Sequence, residues 1–287
     1  MSRDGSEPTP EDLVTAARAA GVTDERLLGA MRSTLRAAFV PAAHRRSAYL
    51  DVPVPIAHGQ VTTQPSLVAA MVAALRLTGG ERVLEIGTGC GFQTALLARL
   101  SAYVVSIERW PDLAEEARAG LSGEGIANVT VVVGDGTLGV PEHAPYDAVV
   151  VSAAFPEVPG PPAGQLRPGG RLGRVSKVAP SARRAGPTAS GACDRKAEGR
   201  SRTGRTWTTP TTQRGGTSRA RRATGECVPG VVGQAGLSKH APVQPIGPGG
   251  RELVTLYERG PRGLVRTGTV VAAHFVRLYG AHGYPPP

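Results

Sequence analysis

Three acidic side chains and one glycine cluster have the types and spacing to do chemistry. Gly87-Thr88-Gly89-Cys90-Gly91 follows a short apolar run, Arg82–Ile86. Glycines let a ligand come close to the backbone and meet the N-terminus of the following helix. The spacing is GxGxG, with Phe at position 92, whereas a dinucleotide pyrophosphate turn wants GxGxxG. That favours a nucleoside without a pyrophosphate over NAD. Glu108 ends the next apolar run, where a carboxylate can accept the ribose hydroxyls. Asp135, followed by Gly136, sits in a GDG turn after the third run, placed to meet an adenine edge. Each has a plainer reading by itself: a tight turn, a solvated acid, a turn aspartate. At three consecutive strand ends, they describe one crevice. Glu85 lies inside the first run, where an unpartnered acid would be costly. Either a cationic ligand group or a hydrogen-bond network must satisfy it.

These residues need a sheet to align them. Apolar strands at 82–86, 103–107, 129–133 and 147–151 alternate with helical stretches near 92–100 and 111–121. Such βαβ units build a doubly wound, mostly parallel α/β sheet, which binds ligands beyond the strands' carboxyl ends. Upstream, Thr9 caps one helix, with Pro10 in its first turn and Gly21 at its end; Thr23 caps a second through Met31. Residues 41–64 read as loop, and Pro65 opens a helix carrying Leu67, Met71 and Leu75 on one face. Stretches 252–258 and 264–278 read as a terminal antiparallel pair.

Composition bounds what this fold can serve. The chain has 287 residues, 40 % hydrophobic and 20 % charged, ordinary values for a globular protein. Three cysteines, none in a CxxC pair, exclude a disulfide scaffold and a thiolate zinc site. The polar start and the absence of an apolar run near 20 residues point to a cytoplasmic protein without a membrane span. The net charge of +10 is local: residues 173–243 hold 14 of the 33 Lys and Arg and three of the 23 Asp and Glu. That tract is rich in Gly, Ser, Thr, Pro and Ala and lacks helical or strand periodicity, so disorder is expected. Out-of-frame reading of GC-rich DNA also yields such a composition.

At this point a resemblance becomes specific. VLEIGTGCGFQTALLARL, VVSIER, VVVGDG, YDAVVVSAA and QLRPGGRL resemble the successive motifs of a class I S-adenosylmethionine methyltransferase. The upstream stretch AMRSTLRAAFVPAAHRRSAYLDVPVPIAHGQVTTQPSLVAAMVAAL and the tail PIGPGGRELVTLYER are similar to the protein-L-isoaspartate (D-aspartate) O-methyltransferase family. The resemblance covers about 25–172 and 244–284. It implies S-adenosylmethionine on Gly87, Gly89 and Gly91, its ribose on Glu108, and its adenine at Asp135 and Gly136; Glu85, from the reading of its position in the strand, is expected to be cofactor-binding as well. It also implies a hydroxyl that positions the substrate carboxylate, a serine in most members and Thr63 here. Ala57 and Val61 depart from a usual glycine and threonine. His58 is read as structural or solvated, Cys90 as a small loop residue, and Trp110 as a neighbour of the adenine or a loop cover. Arg45 and Arg46 read as a solvated face, with attraction of an acidic peptide as the alternative.

The implied reaction methylates the carboxylate of L-isoaspartyl residues in damaged proteins or peptides, without a metal and by a monomer. The expected layout is N-terminal helices and substrate loop at 1–64, the cofactor domain at 65–172, the basic insertion at 173–243 and closing strands at 244–287. Family members run from GGRL directly into the PIG stretch, so the insertion is expected to interrupt strand five. Gly160-Pro161-Pro162 is expected to disrupt a helix. A competing reading makes the basic tract a polyanion binder on a degraded, non-catalytic homologue. Base stacking has little support, because Trp207 is the tract's lone aromatic. An exocyclic-amine methyltransferase would need an Asn/Asp-Pro-Pro-aromatic motif where this chain reads VSAAFP.

Overall fold

The computed structural model describes residues 7–155, 160–177, 252–273 and 277–284. Seven strands form one sheet in the order β3-β2-β1-β4-β5-β6-β7. The parallel strands are β1 (Arg82–Ile86), β2 (Tyr103–Glu108), β3 (Val129–Val133), β4 (Tyr146–Phe155) and β5 (Leu166–Lys177). An antiparallel pair, β6 (Glu252–Gly260) and β7 (Gly263–Ala273), completes one edge. The strand order reverses between β1 and β4, which opens a crevice at their carboxyl ends.

Side-chain alternation sorts the core. Val83, Val104, Ala148 and Val150 pack on the face covered by the helices α1 (Pro10–Ala19), α2 (Glu25–Ser33), α3 (Pro65–Ala74) and α4 (Phe92–Leu100). Leu84, Ile86, Val105, Ile107, Val149 and Val151 turn to the other face, beneath Val140, Tyr146 and Leu166. Helix α5 (Pro111–Gly123) follows β2, with its Leu113, Ala114 and Ala117 buried. The N-terminal helices carry their own start signals. Asp12 accepts from the Thr9 amide at 2.8 Å. The cap of α2 is Asp24 rather than Thr23, its carboxylate accepting from the Arg26 and Leu27 amides. An aspartate one residue on is at least as good an N-cap as threonine.

Two expectations are corrected. Strand five is not interrupted: β5 runs past Leu172 to Lys177, paired with β4 on one side and β6 on the other. Backbone groups make a ladder whatever their side chains, so the first residues of the basic segment, Gly173–Lys177, finish the strand. The rest of that segment, 178–243, lies outside the described residues. The prolines at 161 and 162 begin a short helix, α6 (Gly160–Gly164), instead of breaking one. First-turn positions have no intrahelical acceptor for an N–H, so proline loses nothing there. The loop 41–64 also contains a 3-10 turn, Ala42–Ser47.

Candidate active site

The carboxyl ends of β1, β2 and β4 open into a cavity of about 660 Å³. Its floor is the glycine loop. Gly87, Gly89 and Gly91 have φ of 93°, 54° and 91°, in the left-handed region that L side chains avoid. A Cβ on Gly91 would also lie 3.1 Å from that of Ala117, so this position needs glycine for packing between α4 and α5 as well. Glu108, 7 % exposed, lines the cavity and holds the loop in place. Its Oε2 accepts from the Gly89 amide at 2.8 Å, and its Oε1 from the Arg109 and Trp110 amides at 2.8 and 3.2 Å. Three donors occupy about three of the roughly four lone-pair sites of a carboxylate. The remaining acceptor capacity is on Oε2, in a residue that lines the cavity.

Trp110 forms a side wall by stacking on His58, with ring centroids 3.9 Å apart and planes within 4°. His58 in turn bonds Asp112 through Nε2 at 2.7 Å. That bond, aided by the Asp112 and Leu113 amides, holds the exposed Asp112 carboxyl below its usual range against a smaller opposing effect of burial. His58 is thereby a structural bracket for the Trp110 wall. Cys90 also lines the cavity, and burial pushes its thiol up, away from the thiolate form.

Asp135 and Gly136 follow the carboxyl end of β3. Neither lines the cavity. The Asp135 carboxylate accepts from the Thr137 amide and hydroxyl at 2.9 and 2.7 Å, and from the Ala281 amide at 2.7 Å. Burial acts to raise its pKa, but these hydrogen bonds prevail and hold it low. A Cβ on Gly280 would clash with the Asp135 carboxylate. Asp135 thus anchors the C-terminal segment 277–284 across the end of the sheet, where the Leu278 amide donates to Ala154 O at 3.0 Å. Arg277, Leu278 and Tyr279 of that segment line the cavity instead. A turn motif cannot reveal that a chain end about 145 residues away will cap its aspartate.

Glu85 is fully buried behind the cavity wall, on the sheet face that meets α4. Its carboxylate accepts from Gln93 Nε2 at 2.8 Å, from Thr94 Oγ1 and from Ser106 Oγ at 2.7 Å. Burial pushes its pKa up to about 7, against the pull of these donors. Side chains therefore supply the network. Glu85 is tied to the cavity lining through Gln93, which also donates to Ser152 Oγ at 2.7 Å, and through Ser106, which bonds Thr88 at 2.6 Å. Gln93 is 7 % exposed, and its Oε1 has no hydrogen-bond partner among the described residues.

A second cavity of about 1080 Å³ shares Val61, Thr62, Thr63 and Ser152 with the first. The two adjacent threonines have opposite tasks. Thr62 is buried, and its oxygen accepts from Arg36 Nη2 and the Val54 amide, both at 3.0 Å. Thr63 is half-buried at the junction, and its hydroxyl has no partner among the described residues. Arg36 was not legible in the sequence, where nothing separates it from the exposed Arg45 and Arg46. It is wholly buried, donates to the carbonyls of Ala48, Leu50 and Val52 and lies over the Phe92 ring, which pins the loop carrying Thr63. Burial lowers its pKa, yet guanidinium remains charged at any ordinary pH. Asp51 accepts from the Ser66 amide at 2.8 Å and from Gln64, fixing the start of α3 beside Thr63.

Among the described residues no helix is long and apolar enough to cross a membrane. The chain is 54 % identical over 163 residues to a protein-L-isoaspartate O-methyltransferase of Methanoculleus marisnigri, covering 57 % of this chain and 73 % of that one. It is 54 % identical over 153 residues to the protein of that name from Anaeromyxobacter dehalogenans, covering 53 % and 73 %. A solved protein-L-isoaspartate O-methyltransferase matches the fold with TM-score 0.62 at 23 % identity, over 96 % of this chain and 67 % of that one. A Plasmodium falciparum structure, assigned to the same activity and holding S-adenosyl-L-homocysteine, matches with TM-score 0.60 at 15 % identity, over 95 % and 99 %. The model of one family matches residues 8–182, and on that match the chain belongs to the protein-L-isoaspartate (D-aspartate) O-methyltransferase (PCMT) family.

Proposed function

We infer that this protein transfers the methyl group of S-adenosylmethionine to the carboxylate of L-isoaspartyl residues in damaged proteins and peptides. The observation that carries the reading is the junction at Thr63. There a cavity floored by the glycine loop and Glu108 meets a second cavity beside a hydroxyl with no partner among the described residues. The residues fit the cofactor. Gln93 Oε1 is a buried acceptor awaiting a donor, which the ammonium of a methionyl group provides. Glu108 retains acceptor capacity for a ribose hydroxyl. Trp110 offers an aromatic wall, and the segment anchored by Asp135 closes the far side.

When bound, S-adenosylmethionine supplies an activated methyl group on a positively charged sulfur. An O–CH₃ bond forms as the S–CH₃ bond breaks, its electron pair staying on sulfur. No proton moves, because a carboxylate is already ionised at neutral pH. The protein's share is therefore placement. Thr63 orients the acceptor carboxylate by donating its hydroxyl proton to one oxygen and leaving the other free to attack. Arg36 and Asp51 fix the backbone on either side of Thr63. Holding two reactants in line contributes on the order of 7 kcal/mol or more to barrier lowering. The second cavity, lined by Leu67 and Ala70 of α3 and by Leu256 and Val270 of the terminal strands, receives the peptide flanking the isoaspartyl residue. The methyl ester product closes spontaneously to a succinimide, and its reopening restores some normal aspartate. We place this activity in the cytoplasm and assign it to a monomer, with 173–243 as an accessory insertion.

The test is transfer of labelled methyl from S-adenosylmethionine to paired peptides that differ only in isoaspartate against aspartate. Base-labile label is expected on the isoaspartyl peptide, and equal or absent labelling of the pair would overturn the assignment.

A further inference from the structure

Of the four residues shared by the two cavities, Val61 has no hydroxyl and Thr62 has its oxygen committed to Arg36 and the Val54 amide. Two hydroxyls are left at the junction, those of Thr63 and Ser152. Ser152 lies on β4 one residue beyond Val151, the last partner of β1, where the β4–β5 register also shifts. It is half-buried and lines both cavities together with Thr63. Its oxygen already accepts from Gln93 Nε2 at 2.7 Å. The same Nε2 is tied to Glu85, which orients the Gln93 amide with its nitrogen toward Ser152. With its oxygen engaged as an acceptor and no acceptor for its proton among the described residues, the Ser152 hydroxyl is left as a donor toward the junction.

We propose that Ser152 is a second substrate-binding hydroxyl, donating to the isoaspartyl carboxylate alongside Thr63. The assignment rests on the methyl-transfer reading above. Two donors from different elements fix the plane of a carboxylate as well as its position, which one rotatable hydroxyl cannot do. The chain Glu85–Gln93–Ser152 thus links the acid buried behind the glycine loop to the acceptor group. Gln93 is a positioning residue within that chain.

The test compares wild type, Ser152→Ala and Ser152→Thr in steady-state methylation of an isoaspartyl peptide, with S-adenosylhomocysteine affinity measured by calorimetry. A lost hydrogen bond to a charged group corresponds to a fall in kcat/KM of about 10- to 100-fold. Ser152→Ala is expected to show that fall with S-adenosylhomocysteine affinity within about twofold of wild type, and Ser152→Thr to recover most of it. A neutral isoasparaginyl peptide, tested as a competitive inhibitor, is expected to bind wild type and Ser152→Ala alike, because a neutral amide draws little from the missing donor. Unchanged kcat/KM in Ser152→Ala, or a parallel loss of S-adenosylhomocysteine affinity, would overturn the assignment while wild-type activity keeps the methyl-transfer reading. An inactive wild type would overturn both.

Discussion

The buried acid Glu85 gives the sharpest quantitative expectation. Its carboxyl is 0 % exposed and its pKa is pushed from 4.5 to about 7. The folded protein therefore binds this proton more tightly than the unfolded chain. The group supports folding fully below pH 4.5, and that support drains away as pH rises through 7. At about 1.4 kcal/mol per pH unit the whole interval amounts to about 3 kcal/mol, of which roughly 2–3 kcal/mol falls between pH 5 and 8. Glu85→Gln keeps the shape and removes the titration. Urea unfolding of wild type and Glu85→Gln at pH 5, 6, 7 and 8 isolates the effect, because groups such as Asp135 and Asp112, whose pKa values shift downward, cancel in the difference. The stability of wild type relative to the variant is expected to decline steadily over that range. Two curves running parallel from pH 5 to 8 would refute the reasoning and show that Thr94, Ser106 and Gln93 fully offset the cost of burying the charge.

Glu108→Ala removes the acceptor that holds the Gly89 amide and, on the proposed function, the ribose. S-adenosylhomocysteine affinity by calorimetry is expected to fall about 10- to 100-fold, and an unchanged Kd would dissociate Glu108 from the cofactor. Thr63→Val keeps the branched shape and deletes the hydroxyl. Turnover of an isoaspartyl peptide is expected to drop about 10- to 100-fold with S-adenosylhomocysteine binding intact, and an unaffected rate would take Thr63 out of the site. Arg36→Met leaves the Ala48, Leu50 and Val52 carbonyls without their guanidinium donor. At about 1–3 kcal/mol for each buried unsatisfied group, the variant is expected to lose several degrees of Tm. A wild-type melting curve would mean the loop holds itself.

The sequence by itself determined the local elements and the side of the crevice built by the glycine loop and Glu108. β1, α4 and β3 match the stretches expected, because apolar periodicity and glycine punctuation are short-range signals. The glycine loop and Glu108 lie together for the same reason: consecutive βα units must place successive strand ends side by side. What pairs across long sequence separations was settled only by the tertiary structure. Asp135 looks like any turn aspartate until the Ala281 amide reaches it. The family resemblance points to Thr63 but not to the task of its neighbour: Arg36 and the Val54 amide take up the Thr62 oxygen, while the Thr63 hydroxyl has no partner among the described residues. Strand five was expected to break at the edge of the basic segment, yet main-chain hydrogen bonds to β4 and β6 recruit Gly173–Lys177 regardless of composition. Ser152 and Gln93 acquire roles because β4 and α4 bring them within 2.7 Å of each other, 59 residues apart in the chain. Patterns along a chain report what one segment can form; which donor satisfies which acceptor depends on where distant segments come to rest.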